Sequence, residues 1–598
     1  MDLRVHKNAL SMVDSLLDRR TYVKPILPFV IQKPIVPDFV KEIPFDKATP
    51  EQVGISCEIL NQFINELVND HSSKLHTIMI IKDNKLIFDI PFFPYDLNTW
   101  NYTFSMSKSI TSLAIGMLID EKKLDINDAL IKYFADDMPT FYRLRFKDIT
   151  IEHLLTMSTG VTFSELGGIA YDDWVKAYVT SNFKFLVGSQ FDYNSMNSYM
   201  LAAIIKKITG HSMMDYLDER LWKPLDIKNV HWDKCPKGIE KGGWGLYLSP
   251  VDMAKIGLLY LNKGKWNNVQ LVSQNWIDTA TKYHISVSDR FGEYDYGYHV
   301  WVKRNASTYL LNGMFGQNVV VLPELKTIIV TTAGNSDNFQ TNIFFKLVDK
   351  YFNSEILVTK NKKLEQEAYD MLNQTRNELV SYPFVKTKPL LSEKIFKFFH
   401  LLPKTDINDS INLIDQGYYH IDQEENRGIS FVPLLLRGIL NNHTMGLESV
   451  SFEKSDDMLV MNIIEHNAIF HLRLNLTRQV KQEIKYHGDL YQIVTTAQFA
   501  YDEDDNLVLK IRVYFTEFPN IRLIKVKFIG DIIKMEFDEQ PGLAYLKKSF
   551  DKVDMNSKEI KIIQLFNNNL DLDYIRYKVK DVLNPIVVGH KQNKEDID

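Results

Sequence analysis

A chain of 598 residues is too long for one ordinary hydrophobic core, so two or more domains are expected. Its 45% hydrophobic and 24% charged residues are those of an ordinary globular protein, and a net charge of -6 over this length gives no argument for a nucleic-acid or anionic-membrane partner, so neither is expected. Cys57 and Cys235, the two cysteines, supply no disulfide framework and suit a reducing compartment. Met1 to Arg20 mixes charges among its apolar residues, unlike a signal peptide, and no run approaches the roughly 18 apolar residues that span a bilayer. A cytoplasmic protein without a membrane span is the expectation.

Residues 1–47 are expected to form an extended arm, because Pro25, Pro28, Pro34, Pro37 and Pro44 interrupt any helix. Leu60 to Val68 has the pattern of an amphipathic helix, and Thr77 to Ile81 with Lys85 to Phe88 that of a hairpin around Asp83-Asn84. After the turn-forming Pro94-Tyr95-Asp96 comes Ile110 to Ile119, almost wholly apolar, which predicts a buried central helix. Tyr298 to Lys303, Asn318 to Leu322 and Thr327 to Thr332 read as buried strands, the last two joined at Pro323-Glu324. Strands at both ends with helices between predict an α/β (α+β) domain over residues 48–360, its sheet mostly antiparallel and flanked by helices.

A charged helix, Lys362 to Val380, reads as part of a connector, residues 361–384. Beyond it the period changes to two. Leu472, Leu474 and Leu476 alternate with polar residues, as do Leu509, Ile511 and Val513, Ile524, Val526 and Phe528, and Ile533, Met535 and Phe537. Such alternation marks antiparallel strands packed on one face. Residues 385–598 are therefore predicted to be an all-β C-terminal domain, a meander closed into a barrel or folded into a sandwich.

Ser105-Met106-Ser107-Lys108 is the candidate for chemistry. A serine hydroxyl needs a neighbouring base to lose its proton at neutral pH, and residues three apart in a helix share a face. A lysine on a buried helix is poorly hydrated, which lowers its pKa and makes proton transfer possible. The spacing alone is weak, since Ser181 to Lys184, Ser451 to Lys454 and Ser549 to Lys552 match it too and read as solvated surface pairs. Ser105 differs in its setting, at the start of the apolar helix, where backbone N–H groups favour developing negative charge. Gln190-Phe191-Asp192-Tyr193-Asn194-Ser195 is a second candidate element. A phenol acts as general base only if its pKa falls well below about 10, and a lysine ammonium beside it favours phenolate. Tyr193 and Lys108 would then be a coupled pair.

These motifs, in order, resemble the class C β-lactamase-related serine hydrolases, a group with penicillin-binding esterases and aminohexanoate-dimer hydrolases among its members. Ala48 to Ile55 resembles the family's opening, Phe104 to Leu113 its active-site helix and His153 to Gly160 its structural turn. Phe191 to Ser195, Leu221 to Leu225, Gly242 to Leu246, Pro250 to Leu259 and Gly313 to Gln317 follow. The resemblance implies Ser105 as nucleophile, Lys108 as its helper and Tyr193 as general base and acid. It implies Gly313, the N–H of Met314 and Ser195 as oxyanion and substrate contacts, Ser195 standing where many members have asparagine. Many relatives carry K-T-G or H-x-G where this chain has Leu311-Asn312-Gly313. The missing cation argues for a substrate without the carboxylate of a β-lactam or D-alanyl peptide, unless Lys241 or Lys303 replaces it in space.

His76, His153, His231, His284 and His299 lack metal-ligand spacing, so no metal and no cofactor are expected. Gly242-Gly243 reads as a turn against the sheet. The expected activity is hydrolysis of a small ester or amide through an acyl-enzyme on Ser105. The rivals are a β-lactamase or D-alanyl peptidase, and a non-catalytic scaffold that keeps the fold. Residues 385–598 are given a structural role or one in a homo-oligomer.

Overall fold

The computed structural model describes residues 33–35, 37, 43–169, 171–336, 341–353, 366–380, 407–421, 429–440, 446–465, 468–486, 488–542, 580 and 583–592. Met1 to Arg20, Pro25, Pro28 and the Ser549 to Lys552 match lie outside them. By its contacts the chain divides into two units, one mostly residues 37–380 and the other mostly residues 381–598.

In the first unit α1 (Cys57–Asn69) precedes a hairpin of β1 (Leu75–Lys82) and β2 (Lys85–Pro91). Asp83 and Asn84 both take positive φ, the turn chemistry expected of an Asp-Asn pair. Two buried helices follow, α2 (Ser107–Asp120) and α3 (Ser195–Thr209), then α4 (Pro250–Leu261). The other strands of its main sheet are β3 (Tyr294–Tyr296), β4 (Trp301–Lys303), β5 (Tyr309–Gly313), β6 (Gln317–Leu322) and β7 (Thr327–Ala333). They form one antiparallel sheet in the order β2-β1-β7-β6-β5-β4-β3.

Strand parity divides the core into two layers. Met79, Ile81, Leu311, Val319, Val321, Ile328 and Val330 face α2, α3 and α4. Their neighbours Ile78, Ile80, Leu310, Val320 and Ile329 face α1 and α5 (Ile343–Tyr351). Buried on both faces, these strands read as continuous β-branched runs rather than alternating ones. Helix α2 is buried from Ser107 to Leu118, and three of its hydroxyl side chains are matched to backbone carbonyls. Ser107 Oγ donates to Phe104 O, Ser109 Oγ to His299 O and Thr111 Oγ1 to Gly242 O. Helix α6 (Gln366–Val380) lies in this unit, with Leu372 buried and Arg376 bonded to Asp89.

The second unit holds ten antiparallel strands: β8 (Tyr418–Ile421), β9 (Leu447–Ser455), β10 (Met458–Glu465), β11 (Ala468–Leu474), β12 (Val480–Tyr486), β13 (Asp489–Tyr501), β14 (Leu507–Phe515), β15 (Ile521–Ile529), β16 (Ile532–Gln540) and β17 (Ile586–Lys591). Their order, β11-β10-β9-β8-β17-β16-β15-β14-β13-β12, makes a nearly closed barrel. At its seam the side chain of Gln482 on β12 takes the place of a backbone ladder. Gln482 accepts from Arg473 N at 2.9 Å and donates to Arg473 O at 2.8 Å. A buried polar group joins the strands to the apolar segment 429–440: Ser430 donates to Glu465, and Arg522 pairs with Glu539 at 3.3 Å. Lys33, from the proline-rich stretch, is sealed in this unit, its Nζ 2.8 Å from Glu517 and its N–H donating to Asp489.

Candidate active site

Ser105 lies in a 3-10 turn, Phe104–Met106, that runs straight into α2. One helical turn on, Lys108 is 1% exposed, and its Nζ has three oxygen neighbours. These are Ser105 Oγ at 2.9 Å, Ser195 Oγ at 2.8 Å and Gly243 O at 2.7 Å. Burial pushes the amine down to about 7, and the charge of Glu165 opposes that shift. A neutral amine has two N–H bonds and one lone pair. Gly243 O can only accept, so one N–H goes there; the second suits Ser195 Oγ, and the lone pair is left for the Ser105 hydroxyl.

Tyr193 hydrogen-bonds to the same Ser105 hydroxyl. Its ring stacks on Trp301 at 5.7 Å and lies 4.7 Å from Lys108 Nζ. The direction of its pKa corrects the sequence expectation. Loss of hydration pushes the phenol up, the Ser105 bond only partly offsets this, and Glu165 adds to the rise. A phenolate here would be poorly solvated beside an amine that has itself lost much of its charge.

Helix α3 delivers Ser195 at its first turn. Asn194 caps it by accepting from Met196 N, and its amide donates to Val161 O and Phe163 O. Glu165 Oε1 accepts from Ser195 N at 2.9 Å, which holds a half-buried carboxylate over the helix start. The sequence predicts Gly242-Gly243 as a turn against the sheet; the turn that brings Gly243 O to Lys108 packs on α3 instead. A Cβ on Gly242, whose φ is 66°, would lie 2.4 Å from Ser198 O, and one on Gly243 2.8 Å from Ser195 Cβ. Only glycine lets the turn come this close.

Gly313 ends β5 against the nucleophile turn. A Cβ there would lie 2.1 Å from Thr103 O. The turn Met314–Gly316 follows, and Phe315 packs edge-on to Phe104 at 5.2 Å. Of the residues named from the sequence, Lys108 and Tyr193 bond to the Ser105 hydroxyl, Ser195 meets Lys108 Nζ, and Gly313 packs on the turn that carries Ser105, with Met314 next in the chain. Sequence reasoning missed Glu165 and the carbonyl of Gly243.

The cation question takes a different form in the structure. Asn312 points to the α5 layer, where its amide donates to Asn318, so it is the wrong position for a charge facing Ser105. Leu311 shares the α2 face and is fully buried. Lys241 is closed on Asp233 at 3.0 Å, and Lys303 is paired with Asp349. Neither replaces the missing cation. His299, also near Lys108, is pushed down to about 3 by burial first and the lysine's charge second, and its ring is bonded to Ser198.

Residues 60–341 match the family model described as Beta-lactamase. That segment, a little under half of the chain, is similar to the beta-lactamase family. Curated relatives include protein flp of Staphylococcus aureus strain MW2, 27% identical over 28% of this chain and 38% of its own length. The 6-aminohexanoate-dimer hydrolase of Paenarthrobacter ureafaciens is 23% identical over 38% of this chain and 64% of its own. The chain therefore spans less than two thirds of either relative. Among solved structures, a putative 6-aminohexanoate-dimer hydrolase from Bacillus anthracis aligns with 53% of this chain and 89% of its own, at 19% identity and a TM-score of 0.44. Among the described residues no helix is long and apolar enough to cross a membrane.

Proposed function

We propose that this chain is a serine hydrolase that cleaves an ester or amide through an acyl-enzyme on Ser105. The observation that carries the reading is the Lys108 amine, held near neutrality by burial and 2.9 Å from Ser105 Oγ. Neutral Lys108 takes the Ser105 proton as Oγ attacks the carbonyl carbon. The N–H groups of Ser105 and Met314 receive the oxyanion. Tyr193, protonated at rest, gives its proton to the leaving group and is resupplied from the Lys108 ammonium. Water enters by the reverse path: Tyr193 and Lys108 take its proton, and Ser105 regains one as the acyl group leaves.

Leu311 in place of a cation favours substrates without a carboxylate. A charge-assisted hydrogen bond to a carboxylate contributes about 1.5–3 kcal/mol, so its loss lowers affinity roughly tenfold to hundredfold. The expected result is that kcat/KM for p-nitrophenyl acetate or butyrate exceeds that for any cephalosporin, and that Ser105→Ala abolishes turnover of both esters. Efficient cephalosporin hydrolysis would restore the β-lactamase reading, and undiminished turnover by the alanine variant would remove Ser105 from the mechanism. In this proposal residues 48–360 form the catalytic region, and residues 385–598 have a structural or self-associating role.

A further inference from the structure

One charged group reaches the site without a place in the proton relay. Glu165 is fixed by the Ser195 N–H at the start of α3, the same helix turn that sets Ser195 Oγ on Lys108. Its charge bears on both Lys108 and Tyr193. Half-buried, it is neither sealed in the core nor fully screened by solvent. Among the described residues no lysine or arginine forms an ion pair with it. The opposite sign is withdrawn: Leu311 is apolar, and the ammonium groups of Lys241 and Lys303 are held by Asp233 and Asp349. Glu165 Oε1 thus lies one hydrogen bond from the backbone of Ser195, whose hydroxyl meets the Lys108 amine beside Ser105.

We propose that Glu165 is a specificity-determining residue that selects substrates carrying a cationic group, an ammonium on the acyl or the leaving-group side, close to the scissile ester or amide. The proposal rests on Ser105 being the nucleophile. Charge attraction at a half-buried site is strong enough to sort substrates, and a carboxylate–ammonium contact corresponds to roughly tenfold to hundredfold in affinity. A substrate carboxylate in the same place is repelled.

The test compares isosteric substrates that differ only in charge. On the acyl side these are glycine p-nitroanilide and propionyl p-nitroanilide; on the leaving-group side, acetylcholine and 3,3-dimethylbutyl acetate. In at least one pair the cationic member should have a kcat/KM about tenfold or more above its neutral partner. Glu165→Gln keeps an oxygen to accept from Ser195 N and should bring that ratio close to one. The ratio in the unmodified enzyme should also shrink as salt rises from about 0.05 M to about 1 M, a readout that does not depend on the variant folding. Equal rates within both pairs, a preference insensitive to salt, or one that survives Glu165→Gln would overturn the proposal. Ser105→Ala separates the two claims: if hydrolysis of the neutral members persists in it, the nucleophile assignment falls, and the selectivity argument with it.

Discussion

The Lys108 amine sets the expected pH dependence. Its folded pKa, about 7, lies below the ordinary lysine value of 10.5 because burial removes its hydration. Activity needs the neutral amine, so kcat/KM should fall as pH drops through about 7, and Glu165→Gln should move that limb to lower pH by removing a charge that holds the proton. The same shift enters stability. Between about 7 and 10.5 the unfolded chain binds more protons at this site than the folded one, so stability attributable to Lys108 should rise with pH across that window. Lys108→Met should flatten the rise, measured by denaturant unfolding at several pH values. In kinetics, Lys108→Met and Tyr193→Phe should each lower kcat by several orders of magnitude, and the double variant should cost little more, because residues acting as a unit are strongly non-additive. Multiplicative losses would contradict the relay. Ser105 and Lys108 were legible because a helix brings residues three apart together, and Tyr193 through its motif. Glu165 was not, since its contact with Ser195 N joins residues thirty apart in the chain, a separation no helical or strand period links. The direction of the Tyr193 shift was also hidden, because it depends on the packing of Trp301 and Tyr296 around the ring.

At the level of elements, backbone approach builds the site. Gly313→Ala places a methyl group 2.1 Å from Thr103 O, and backbone on both sides leaves no flexible chain end to yield. Overpacking of this kind costs about 1–3 kcal/mol, and here the strain falls on the turn that carries Ser105. Loss of kcat/KM by tenfold or more with a lowered Tm is expected; unchanged kinetics would mean that β5 does not set the oxyanion geometry. Strand parity makes a second distinction. Leu311→Lys directs an amine to the α2 face, where its burial lowers Tm too, and should raise cephalosporin turnover relative to ester turnover. Asn312→Lys buries an unpaired charge among Asn318, Phe344 and Phe345, and should mainly destabilise the fold, as a lowered Tm would show. The hairpin at Asp83-Asn84 and strands β6 and β7 were readable from turn residues and β-branched runs. Which face Asn312 takes was not read, because a strand buried on both sides gives no polar-apolar alternation to follow.

For the molecule as a whole, the second unit's strands were visible in their alternation, whereas the choice between a closed barrel and a sandwich was not. The side chains of Gln482 and Thr495 bond Arg473 across the seam, buried residues of segment 429–440 bond to the strands, and neither has a signature distinct from ordinary packing. Lys33 is a sharper case, since a lone lysine among prolines gives no hint of a partner near residue 517. Truncating one member of a buried ion pair leaves the other charge uncompensated and costs about 3–5 kcal/mol. Lys33→Met should therefore destabilise the β-rich unit, read as an earlier transition in urea, while the ester-hydrolysis rate of the folded protein stays the same. An unaltered unfolding profile would show that the Lys33–Glu517 pair contributes nothing to that unit.

The central claim is a covalent one, that Ser105 is activated by the Lys108 amine, and peptide-resolved mass spectrometry after fluorophosphonate treatment tests it most directly. The expected result is a single adduct on the peptide containing Ser105, formed at a rate that rises with pH to a plateau above about 7, and absent from Ser105→Ala. An adduct on any other residue, or labelling of Ser105 at a rate unaffected by Lys108→Met, would contradict it.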